Sequence, residues 1–60
     1  MIKSLNKGQR FTNAFGAIVT ILYVEGMFVT YRFVADGRAY CTEIKSCLKM
    51  LNQNYYFEEK

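Results

Sequence analysis

Sixty residues hold one domain at most, close to the size below which a hydrophobic core alone no longer sustains a fold. A composition that is 52% hydrophobic and 17% aromatic, without proline, excludes a disordered tail or linker. The net charge of +3 leans towards anionic partners, but the eight Lys and Arg residues are scattered from Lys3 to Lys60, which excludes a dense basic tract.

In chain order, Gln9 to Asn13 reads as a short strand, led in by Leu5-Asn6-Lys7-Gly8 and followed by a turn ending at Gly16. The next stretch, Ile18 to Ile44, is rich in β-branched and aromatic residues and is broken twice, at Glu25-Gly26 and at Asp36-Gly37. An acidic residue followed by glycine suits a two-residue hairpin loop, so these dipeptides predict a three-stranded meander. Taken as loops, they set a register. Val24 faces Met27, Leu22 faces Val29, Thr20 faces Tyr31 and Ile18 faces Phe33; then Phe33 faces Tyr40, Tyr31 faces Thr42 and Val29 faces Ile44. These residues form the expected core face. The other face then carries Val19, Ile21, Tyr23, Phe28, Thr30, Arg32, Cys41 and Glu43, with Arg32 and Glu43 as diagonal neighbours able to pair.

Ile44, Cys47, Leu48 and Leu51 recur at the spacing of one helical face, which predicts a short helix near Glu43 to Asn52. Thr42 or Ser46 is the expected N-cap, and Asn52 and Asn54 suit the C-terminal end. Tyr55-Tyr56-Phe57 reads as a closing strand before the charged tail Glu58-Glu59-Lys60. The expected fold is therefore mainly β: a small SH3-like barrel, or an antiparallel β-meander, with a short C-terminal helix and a closing strand, all in one domain spanning residues 1–60.

The element order, together with the opening Leu5-Asn6-Lys7-Gly8-Gln9-Arg10-Phe11, resembles small SH3-like and KOW-type domains, in which that glycine turns the chain into the first strand. The proline-glycine opening common in that class is missing. So is a tryptophan to line a proline-peptide groove, and SH3-type ligand binding is not implied. In size and general character the chain also looks like the small accessory proteins of bacteriophages. That resemblance implies a protein that binds and inhibits or redirects a host enzyme or defence complex in the host cytoplasm.

Catalytic chemistry finds little footing. There is no histidine, and Cys41 and Cys47 match neither a C-x-x-C pair nor a zinc half-site, so no metal and no cofactor is expected. Glu25 and Asp36 stand at opposite ends of one strand, roughly 30 Å apart at ~3.3 Å per residue, too far to share a proton. The four glycines form no phosphate loop, and no apolar run is long enough to cross a bilayer, which points to a cytoplasmic, non-enzymatic protein. Tyr23, Phe28 and Arg32, with Ile21 and Thr30 beside them, are the expected partner-binding residues, because aromatics with an arginine are favoured at interface hot spots. The bland reading of the same residues is a second small core. A protein is the first expected partner, with a second copy of the chain also open. The alternative is RNA or single-stranded nucleic acid stacked on the sheet aromatics, helped by a basic patch of Lys3, Lys7 and Arg10.

Overall fold

The computed structural model describes residues 1–59; Lys60, the end of the expected charged tail, lies outside the described residues. Five antiparallel strands, β1 (Arg10–Thr12), β2 (Ile18–Glu25), β3 (Phe28–Phe33), β4 (Ala39–Glu43) and β5 (Phe57–Glu58), form one sheet, and α1 (Ile44–Gln53) lies between β4 and β5. The strand order is β4-β3-β2-β1-β5, so β4 and β5 are the two edges. Of the two expected forms, this is the open meander.

Both hairpin loops differ from the expected ones. At the first, Glu25 pairs with Phe28, so the two-residue loop is Gly26-Met27. Gly26 has φ +59° while Met27 stays at negative φ, the arrangement of a type II′ turn, which wants glycine first. At the second, Phe33 N donates to Arg38 O and Gly37 N to Phe33 O, closing a four-residue loop with Gly37 at φ +71°. Asp36 Oδ1 accepts from Arg38 N across the same loop. Each change moves the local register by two residues, which preserves the face: Val24 now opposes Val29, and Tyr31 opposes Tyr40.

A third difference does change the face. The β2–β3 register shifts between Ile21 and Tyr23, leaving Leu22 as an extra residue, a β-bulge. Beyond it Ile21 opposes Tyr31 and Val19 opposes Phe33, so Val19 and Ile21 point to the core, while Ile18 and Thr20 turn to the other face. The core is Leu5, Phe11, Val19, Ile21, Val29, Cys47 and Leu51, with Tyr31, Phe33, Ile44, Leu48 and Tyr56 packed against it. Tyr40, expected in the core, is 40% exposed; it stacks on Tyr31 at 5.6 Å and meets Phe33 edge-on at 5.7 Å.

The helix covers the core side of β3 and β4. It follows β4 without a linker, and neither Thr42 nor Ser46 caps it: Glu43 is the N-cap residue and makes no side-chain cap bond. A side-chain cap is less needed here because Ile44 N already donates to Met27 O at 2.8 Å, satisfying one of the orphan donors of the first turn. At the other end Tyr56 N donates to Leu51 O and Tyr55 N to Asn52 O, a Schellman closure with Tyr55 at φ +59°, where glycine is usual. Asn52 also ties down the N-terminal arm, accepting from Ile2 N at 2.8 Å and donating to Ile2 O at 2.9 Å. That bond pair seats Leu5, 6% exposed, in the core.

Candidate binding face

The side of the sheet away from the helix follows from the register. Directly opposed residues share a face, so Glu25, Phe28 and Glu43 form one row, and Tyr23, Thr30 and Cys41 the next. Arg10, Thr20, Arg32 and Ala39 form a third. Tyr23 and Phe28 are 60% and 52% exposed, Arg32 is exposed and Thr30 half-buried. Tyr23 and Phe28, both expected on this face, lie there as diagonal neighbours.

Ile21 does not belong to this set. At 1% exposure it is a core residue, turned inward by the bulge at Leu22, and no partner on the open face can touch it. Val19, also expected here, is fully buried for the same reason. Nor do Arg32 and Glu43 meet. Arg32 opposes Ala39 and Glu43 opposes Phe28, four residues along β3, or roughly 13 Å at ~3.3 Å per residue.

Two features of the face were not expected. Lys7 Nζ sits 5.7 Å from the centre of the Tyr23 ring, within cation–π range. Two carboxylates, Glu25 and Glu43, flank Phe28 on both sides. The cation over Tyr23 could not have been found from spacing, because Lys7 reaches the ring from a turn that precedes β1. The flanking acids needed only the right loop.

The basic patch Lys3, Lys7 and Arg10 is three separate settings. Lys3 lines a shallow hollow of about 250 Å³ with Ile2, Ser4, Tyr56 and Glu58. Lys7 covers Tyr23, and the Arg10 guanidinium pairs with Glu59 at 3.3 Å. Among the described residues no group of three or more His, Cys, Asp or Glu side chains could hold a metal ion. Among the described residues no helix is long and apolar enough to cross a membrane.

The groups whose acidity the fold shifts belong to the core or pack against it. Burial pushes the Cys47 thiol up to about 11. It also raises Tyr31, which Cys47 and Tyr40 raise further, and it raises Tyr56. Cys41, by contrast, is exposed. No family model matches the chain, and neither a curated protein nor a solved structure matches it.

Proposed function

We propose that the chain is a small non-enzymatic module that binds a protein partner through the open face of its sheet, with Tyr23 and Phe28 as anchors and Thr30 and Arg32 beside them. The observation that carries this reading is the pair of aromatics left 60% and 52% exposed on the side that α1 does not cover. Large aromatics presented on a rigid sheet lose little side-chain freedom when they dock, and with an arginine they match the composition of interface hot spots. A host enzyme or defence complex in the cytoplasm is the target implied by the phage-like character of the sequence.

Charge favours protein over nucleic acid. On and around the face, Lys7, Arg10 and Arg32 are balanced by Glu25, Glu43 and Glu59, and the acids beside Phe28 would repel a phosphate backbone there. The nucleic-acid reading keeps one supporting observation, the Lys7 ammonium over the Tyr23 ring, a pairing also suited to a stacked base.

The test pairs two measurements on Tyr23→Ala, Phe28→Ala and Arg32→Ala: melting temperature, and capture of a partner from lysate with and without nuclease. Truncating a hot-spot aromatic should weaken binding by ~2 kcal/mol or more while the melting temperature hardly moves. Capture abolished by nuclease, with affinity falling steeply in salt, would transfer the face to nucleic acid. Early melting of all three variants would make the face a second core.

A further inference from the structure

The two edges of the sheet are built differently. β5 is two residues long, and Glu58 and Glu59 follow Phe57 along it; shortness and charge are devices that stop an edge from pairing. β4 is less protected: it is five residues long, and its one charge, Glu43, stands at its C-terminal end. Ala39-Tyr40-Cys41-Thr42-Glu43 pairs with β3 over five positions without a bulge, contains no lysine or proline, and has four of its five residues exposed.

Its unpaired backbone groups can be identified. Ile44 N bonds Met27 O and Phe33 N bonds Arg38 O, so the alternation of an antiparallel ladder makes Val29/Thr42 and Tyr31/Tyr40 the hydrogen-bonded pairs. The N–H groups of Ala39, Cys41 and Glu43, and the C=O groups of Ala39 and Cys41, therefore point away from β3. The Glu43 carbonyl accepts the first bond of α1.

We propose that β4 is the pairing edge for a second copy of this chain, joined antiparallel about a two-fold axis at Cys41. Cys41 then opposes Cys41 of the second copy, and Ala39 opposes Glu43. Two bonds between the cysteines and one from each Glu43 N–H to the Ala39 carbonyl opposite close the ladder. Charge selects this register. It extends the row of Arg32 and Ala39 to Glu43 of the second copy, and the small Ala39 side chain lets the two long ones meet above it. The spacing is about two strand separations, ~10 Å between backbones. By symmetry there are two such pairs, and neither Arg32 nor Glu43 has an ion-pair partner among the described residues. Centring the axis on Tyr40 instead would put Cys41 beside Ala39 and leave both charges alone. On the helix side, Tyr40, 40% exposed in one chain, gains a neighbour in Thr42 of the second copy, an aromatic–β-branched pair of the favourable kind. Because opposed residues share a face, both binding faces end on the same side of one ten-stranded sheet.

The test is the association state of the full chain by sedimentation. The expected result is a concentration-dependent species of twice the 7.0 kDa chain mass. Arg32→Glu and Glu43→Arg should each weaken it about tenfold or more, and the double variant should restore it, since the pair re-forms with its charges exchanged. Cys41→Pro, which removes an outward N–H and spares the β3 ladder, should give monomer. Air oxidation with copper phenanthroline, in which dioxygen takes the two electrons and two protons of each thiol pair, should link Cys41 to Cys41. A hydrogen-bonded pair holds its Cα atoms ~5.5 Å apart, within the range of a disulfide. Buried Cys47 serves as the silent control. A wild-type chain that stays monomeric at millimolar concentration would overturn the proposal, and so would a dimer indifferent to both charge reversals and to Cys41→Pro.

Discussion

Ile21 is 1% exposed and Leu22, its neighbour in the bulge, is half-buried, so truncating the two should have unequal effects. Ile21→Ala leaves a cavity among Phe11, Val19 and Leu51 and is expected to cost ~2–5 kcal/mol. A chain of this length holds only ~3–9 kcal/mol in total at the usual stability per residue, so that single change can unfold it. Leu22→Ala should cost well under half as much in urea denaturation; the reverse order would move the bulge. Tyr40→Ala, for its part, loses an exposed ring and its contacts with Tyr31 and Phe33, and is expected to be milder than Ile21→Ala. Cys47 supplies a pH dependence. Burial raises its pKa in the folded state to about 11 from 9.0, so the thiol is protonated in both states below pH 9 and stability falls as pH rises from there to about 11. Tyr31 and Tyr56, raised by burial above 10.0, deepen the fall at the alkaline end. Melting temperature followed from pH 7 to 11 should show this decline, with a shallower slope in Cys47→Ala.

At the scale of elements, the helix was legible because Ile44, Cys47, Leu48 and Leu51 keep one period and no other face is apolar. The face of β2 was not. In Ile18–Glu25 both alternating sets are apolar, so either could form the core, and a bulge that exchanges them leaves no mark on the pattern. Tyr23 and Phe28 nevertheless fell on the expected side, because the tip moved by two residues, whereas Val19 and Ile21 lie past the bulge, where the shift was odd. Asp36-Gly37 misled for another reason: the dipeptide suits a two-residue loop, and equally a four-residue loop with glycine left-handed at its end. The end of α1 holds a testable strain. Tyr55 is 82% exposed at φ +59°, a conformation that costs a side-chain-bearing residue ~1–2 kcal/mol. Tyr55→Gly is expected to stabilise the fold by about 1 kcal/mol, a rise of ~4–8 °C in a domain of this size. A lower melting temperature would mean that the exposed ring holds something in place.

For the whole molecule, β1 sits between β2, which follows it in sequence, and β5, which comes last. During synthesis β1 to β4 and α1 emerge with every partner they need except one, so a sheet of four strands can assemble while β1 still presents an open margin. Phe11 belongs to that strand and is fully buried in the finished fold. Arg10 O, Phe11 and Thr12 find their remaining partners only when Phe57, Glu58 and Glu59 leave the ribosome. Until then the nascent chain carries a second sticky strand, a site for a chaperone or for mispairing with a neighbouring nascent chain, and the docking of Phe57–Glu58 along β1 is the event that seals it.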